Sequence, residues 1–423
     1  RELFLGSFSI KSHFNVVPVF ISEYLTLLVI DYFRGMQMSK ELGYVLITPY
    51  TLRKSRTGGV LGRLLSRTGL DLVAVRMFGP SQELVDRYAQ LVRSNEEVWP
   101  EVRELLSEYI IRELAPGADG RCHRVMMLLF EGENAVRKLR DAIGGFEDSI
   151  ESADTLRGTY GDYIKALDGS VTYFEPAVLV GPSTASIKKT LGLWAEYSET
   201  DGGILDHALR LAGEEDVQKT LVIIKPDNFI FPSSRPGNIL DLFSRSGLRI
   251  IGAKLHRMSL SEALEFYGPV QPVLRDKLGG IAVERACKVL NKEFGFEMPD
   301  GVKNALAGTL GPAYGDNQFY SIVNFMTGLW PPDVHGEDAV AEGKVRCLAL
   351  VYAGDNAVEK IRAILGPTDP SKAAPGSVRK EFGTDVMINA AHASDSPENA
   401  KREIGIIKVA DDSIKRWYDR YFS

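Results

Sequence analysis

The chain has 423 residues, 44% hydrophobic and 25% charged, an ordinary globular composition with length enough for two or more cores. Its net charge of -6 comes from acidic and basic residues mixed along the chain, so no continuous basic stripe points to nucleic acid. Cys122, Cys287 and Cys347 form an odd set without CxxC spacing, which argues against a disulfide framework or a zinc site and fits a reducing cytoplasm.

Residues 1–40 are rich in apolar and aromatic side chains, but Glu23 and Asp31 interrupt the apolar runs at 15–22 and 24–30 before membrane-spanning length. No small-residue cleavage site follows a clean apolar core, so a signal peptide is not expected either. This segment is expected to be an extension outside the core fold, with no membrane partner.

Residues 44–49 (YVLITP) begin the regular pattern as an apolar strand, and 70–77 form a second after Ser66-Arg-Thr-Gly-Leu70. Residues 131–144 (EGENAVRKLRDAIG) read as a helix opening. The same pattern returns further on. Residues 220–227 (TLVIIKPD) are an apolar strand ending in Lys225 and Pro226, and Ser244-Arg-Ser-Gly-Leu248 repeats the earlier glycine turn. Residues 353–366 (AGDNAVEKIRAILG) run parallel to 131–144, so the chain reads as two related domains in tandem, 41–200 and 218–423. Tyr88 matches Tyr267, but the stretch from Tyr267 to the next strand is much longer than its counterpart after Tyr88. That places an insertion at about 270–344, with helical spacing at 281–294 and an aromatic-rich run at 314–330.

The second copy ends in residues 389–396 (NAAHASDS), where His392 lies between an expected strand at 386–391 and a helix start made by Ser396 and Pro397. A histidine there faces the positive end of a helix dipole, which favours a bound or attached phosphate. The chain has no GxxxxGK[ST], so P-loop chemistry is not the rival reading.

The ordered pair of TLVIIKPD and NAAHASDS resembles the nucleoside diphosphate kinase family, and PGSVRKEF at 375–382 extends the likeness. The resemblance implies an α+β fold of two tandem ferredoxin-like (βαββαβ) domains, the second carrying the helical insertion. It implies ping-pong transfer of the terminal phosphate of a nucleoside triphosphate to a diphosphate through phosphohistidine at His392. Glu403 and Ser394 would orient the ring, while Lys225, Tyr267, Arg362, Thr368, Arg379 and Asn389 match positions that contact nucleotide. Mg2+ would be held mainly by substrate phosphates, with Asp395 the protein's contribution. Members assemble as homo-oligomers, so three fused chains could form a pseudo-hexamer.

Position by position, the first copy has Thr48 for Lys225, Pro176 for Asn389, Leu179 for His392, Phe146 for Thr368 and Thr190 for Glu403, keeping Arg140 and Arg157 for Arg362 and Arg379. It is expected to be catalytically dead and a structural partner, with the retained arginines leaving weak nucleotide binding open. Two departures touch the second copy: Ala393 stands where the family has glycine, and Met387-Ile388 where it has Gly-Arg. The insertion unsettles the usual aromatic clamp on the base, which Phe319, Tyr320 or Phe325 could replace, though core packing is the expected role for most of them. Competing readings are a non-catalytic nucleotide-binding or scaffold protein, and a phosphohistidine relay to a protein acceptor.

Overall fold

In the computed structural model, which describes residues 40–146, 154–208 and 217–423, apolar side chains alternate along the strands so that each strand feeds two cores. Along β1 (Glu41–Ile47), Val45 and Ile47 enter one core while Leu42, Tyr44 and Leu46 enter the other. The first half continues through α1 (Pro49–Arg53), α2 (Thr57–Thr68), β2 (Asp71–Phe78), α3 (Gln82–Arg93), α4 (Pro100–Leu114), β3 (Val125–Gly132), α5 (Ala135–Ile143) and α6 (Leu156–Tyr160). A hairpin of β4 (Asp162–Lys165) and β5 (Val171–Glu175) precedes β6 (Val178–Val180) and α7 (Thr184–Glu196).

The second half repeats this order with β7 (Gln218–Ile224), α8 (Arg235–Ser244), β8 (Arg249–His256), α9 (Leu260–Tyr267), α10 (Val270–Phe294) and α11 (Asp300–Thr327). Then come β9 (Cys347–Gly354), α12 (Ala357–Leu365), α13 (Val378–Phe382), β10 (Ala391–Ala393), α14 (Pro397–Ile407) and α15 (Ile414–Phe422). Backbone landmarks recur with the elements. Left-handed Asn134 and Asn356 open α5 and α12, and left-handed Ala177 and Ala390 precede β6 and β10.

Residues 41–423 form one compact unit around an eight-stranded sheet in the order β10-β7-β9-β8-β2-β3-β1-β6. Each half supplies the 4-1-3-2 strand order of a ferredoxin-like split βαβ fold, so the architecture is α+β as the resemblance implies. The two sheets join at β2 and β8, where Arg76 pairs with Lys254. Above the join α2 crosses α8 at glycines: a Cβ on Gly237 would lie 2.2 Å from the Gly58 carbonyl oxygen, so side chains are excluded there. Beneath those helices one apolar core spans both halves, whereas the opposite face of the sheet carries a separate core for each.

The insertion is a long antiparallel helix pair, α10 and α11. Only its second helix reaches deeply into the core, through Phe319, Val323 and Met326. At the other end of the chain, α15 leaves the second half and packs Ile414, Trp417, Tyr418, Tyr421 and Phe422 into the first half's core. No helix among the described residues is long and apolar enough to cross a membrane, and the apolar runs at 15–22 and 24–30 lie outside those residues.

Candidate active site

Pro226 stops β7, and Lys225 at its end donates its backbone N–H to the Ala390 carbonyl, which brings two segments far apart in sequence side by side. Strand pairing then sets His392 opposite Ile223. The strand expected at 386–391 is displaced: β10 covers only Ala391–Ala393. Asp385 accepts the N–H groups of Met387 and Ile388 and curls that stretch into a turn, leaving Val386 exposed. Ala390, at φ +69°, completes the reversal and is held by the bond from Lys225 and another from the Asn228 side chain.

The imidazole of His392 is fixed from behind. Its Nε2 lies 3.0 Å from Oε2 of Glu403, and the Ser394 hydroxyl donates to the same oxygen at 2.6 Å. Glu403 is 5% exposed because α14, capped by Ser396 with Pro397 in its first turn, turns this residue inward against β10. A carboxylate in that position accepts the Nε2 proton, which leaves the Nδ1 lone pair free. The rings of Phe266 and Tyr267 meet the imidazole edge-on, at 5.1 and 6.3 Å between centroids. Ala393, with no glycine in its place, fits in the strand, buried.

Positive charge gathers beside the ring. Lys225 Nζ donates to Asn389 Oδ1 at 2.7 Å and to the Met387 carbonyl at 3.0 Å, and Asn389 in turn donates to the Thr368 and Val386 carbonyls. Burial, and then the nearby Arg379, pulls the Lys225 ammonium down to about 8. Arg379 donates to the carbonyls of Gly366 and Ala391 and is itself lowered to about 10 by burial and by Arg362. Arg362 lies exposed in the last turn of α12 and Thr368 in the loop after it. Two buried polar atoms here, Arg379 Nε and Tyr267 Oη, have no hydrogen-bond partner.

Several neighbours were not legible from the motifs. Asn228 bridges the Lys225 and Ala390 carbonyls and accepts from Arg235, whose guanidinium also pairs with Asp227 at 3.4 Å. Phe325 of the inserted hairpin lies 5.6 Å from the Lys225 ammonium, while Phe319 is core and Tyr320 packs on Trp330. Of Phe319, Tyr320 and Phe325, the three candidates to replace the aromatic clamp, it is Phe325 that lies beside Lys225. No group of three or more acidic, histidine or cysteine side chains that could hold a metal occurs among the described residues, and exposed Asp395 accepts from Asn399.

A nucleoside diphosphate kinase from Campylobacter hominis is 32% identical over 188 residues, which is 44% of this chain and 93% of that protein. The chain belongs to the nucleoside diphosphate kinase family. The family model named nucleoside diphosphate kinase matches residues 41–170 and 336–411, so both halves carry nucleoside diphosphate kinase sequence, and His392, Ser394 and Glu403 fall in the second stretch. The nucleoside diphosphate kinase of Halorhodospira halophila is 30% identical over 200 residues, covering 47% of this chain and 99% of its own length. Among solved structures, an NDP kinase from Pyrobaculum aerophilum is 29% identical with a TM-score of 0.31, over 45% of this chain and 94% of that one. The family is one of phosphate-transferring enzymes.

In the first half several corresponding positions differ, while Arg140 and Arg157 are kept. Leu179 sits where His392 does, paired with Leu46 and buried. Thr48 donates to Glu175 and to the Ala177 carbonyl, and Glu175 also accepts from Tyr109 Oη at 2.9 Å and from the Ala177 N–H. Phe174 packs on Tyr109, Phe146 and Tyr163, and the Arg157 guanidinium lies 3.9 Å above the Phe146 ring.

Proposed function

We propose that the second half is an active nucleoside diphosphate kinase in which His392 carries the phosphoryl group. Nδ1 attacks the terminal phosphorus of a nucleoside triphosphate, an N–P bond forms, the bond to the bridging oxygen breaks, and the diphosphate leaves with that oxygen. A second nucleoside diphosphate reverses the step through its terminal oxygen. The observation that carries this reading is Glu403, itself held by Ser394, set against Nε2, an arrangement that favours the Nε2–H tautomer with Nδ1 as the attacking nitrogen.

Lys225, Arg379 and Arg362 supply positive charge for the phosphates, preorganised by the bonds that Lys225 and Arg379 already make to the protein. Tyr267 Oη, buried without a partner, is suited to a phosphate oxygen, and Asn389 and Thr368 to phosphate or ribose. Mg2+ would arrive on the nucleotide, held mainly by its phosphates, with Asp395 in its outer surroundings. When bound, the ion neutralises charge on the phosphate oxygens.

The first half serves as a dead partner domain. Leucine has no lone pair to take a phosphoryl group, and Thr48, in place of the lysine, has no charge and is tied to Glu175 and the Ala177 carbonyl. The boundaries that fit this division are 41–200 and 218–423, with the inserted hairpin at about 270–344. The fused sheet takes the place of a dimer, and three chains would assemble as a pseudo-hexamer in the cytoplasm.

The decisive experiment is incubation with γ-labelled ATP followed by a GDP chase. Acid-labile label on the protein that moves to GDP is the expected result. Absence of label on a folded protein would overturn the kinase in favour of a scaffold.

A further inference from the structure

Arg76 belongs to the half without catalytic groups, yet its side chain is 2% exposed and wholly engaged with chain from outside its own strand. Its Nε and Nη2 donate to the Ser198 carbonyl at 3.0 and 2.8 Å, Nη2 also to Ala410 at 3.0 Å, and Nη1 to Asp411 at 2.7 Å. Asp412 pairs with it at 3.7 Å. Space for this side chain is reserved, since a Cβ on Gly202 would lie 2.4 Å from Arg76 Nε.

Directly across the β2–β8 join, Lys254 donates from Nζ to the carbonyls of Ile407 and Lys408, at 3.1 and 2.9 Å. Those are the last carbonyls of α14, which Lys408 closes in the left-handed conformation. Carbonyls at a helix end lack partners within the helix and carry the negative end of its dipole, so Lys254 holds that end directly, while Arg76 fixes the chain just beyond it at 410–412. Glu403 lies four residues, about one turn, before Ile407 on the same rod.

We propose that Arg76, with Lys254, is a positioning residue for phosphoryl transfer: Lys254 holds the end of α14, the first half through Arg76 anchors the chain directly after it, and together they set Glu403 against His392. This gives the dead half a role in the chemistry of its neighbour, and it rests on the kinase reading above. Movement of a supporting group by about 1 Å is enough to cost a reaction roughly a hundredfold, so loss of one of two clamps should cost on the order of tenfold.

The test measures the rate of phosphoenzyme formation from ATP in the wild type, Arg76→Met, Arg76→Lys, Glu403→Gln and the double variant Arg76→Met/Glu403→Gln. The clamp requires roughly a tenfold fall in rate for Arg76→Met with unchanged nucleotide KM, and substantial recovery in Arg76→Lys. It also requires little further loss when Arg76→Met is added to Glu403→Gln, because both act on one group. An unchanged rate in Arg76→Met, or losses that multiply in the double variant, would overturn the clamp. Should Arg76→Met not fold, Lys254→Met replaces it in the same cycle with the same criteria. A wild type that forms no phosphoenzyme removes the kinase reading itself, a failure distinct from an active wild type indifferent to these substitutions.

Discussion

The Lys225 ammonium and the Asn389 side-chain oxygen lie 2.7 Å apart at the floor of the cleft, with Lys225 only 8% exposed. Such a buried amine holds its proton less firmly than an exposed one, and here its pKa falls to about 8. Lys225 is therefore expected to impose an alkaline limb near pH 8 on kcat/KM, as the charge that meets the phosphates is lost. Profiles from pH 6 to 10 would check this, and Lys225→Met should be slower by about a hundredfold and lack the limb. The linkage to stability has the opposite sense. The unfolded chain binds this proton more tightly than the folded one, so the contribution of Lys225 to stability rises between about pH 8 and the ordinary lysine value of 10.5.

His392→Gln should abolish nucleotide exchange while leaving the urea midpoint nearly unchanged. The ring is 22% exposed and meets its surroundings through one polar bond and two ring edges, so its loss opens no large cavity. Exchange at wild-type rate in the folded variant would rule out a phosphohistidine at this position.

Much of this site could be read before any coordinates, because its chemistry rests on short local patterns. Lys225 before Pro226, and His392 before Ser396-Pro397, announce a strand end and a helix start. What escaped was set by long-range packing. The turn at 385–390 escaped because its bonds to Asp385 outweigh the strand preference of Val386 and Ile388. Phe325 was one of three named aromatics, and which of them reaches Lys225 depends on how the inserted helix folds back. Arg76 looked like any strand residue, since its partners at Ser198 and 410–412 come from two distant loops. The first half was legible as degenerate from Leu179 and Thr48, but the cluster of Phe174 and Glu175 on Tyr109 was not, because these residues have no counterpart in the motifs.

These changes bear on stoichiometry. Equilibrium dialysis with MgADP should give one nucleotide per chain, since Thr48 replaces the lysine and the Arg157 guanidinium lies against the Phe146 ring. Two nucleotides per wild-type chain would show that the retained Arg140 and Arg157 still hold one.

Ser394→Ala should slow phosphoryl transfer by roughly tenfold, in the range found for losing a group that orients a ligating or reacting histidine. Its hydroxyl holds the Glu403 oxygen that also meets His392 Nε2. Rapid-quench measurement of phosphoenzyme formation would check it, and an unchanged rate would mean that the helix alone fixes Glu403.

The last expectation concerns the end of the chain, which belongs to the second half in sequence and to the first half in packing. Ile414 is fully buried in the first half's core, and Tyr421 donates to Glu131 on β3. Truncating a buried isoleucine to alanine removes transfer energy and leaves a cavity, so Ile414→Ala should cost about 2–5 kcal/mol. Because α15 follows directly from the 410–412 segment that Arg76 grips, the loss should fall on the joint between the halves as well as on the first core. Urea unfolding followed by Trp194 and Trp417 fluorescence, with hydrogen exchange at β1 and β3, would locate it. Destabilisation confined to the second half would mean that α15 is a passive tail and not the strap that ties the two halves together.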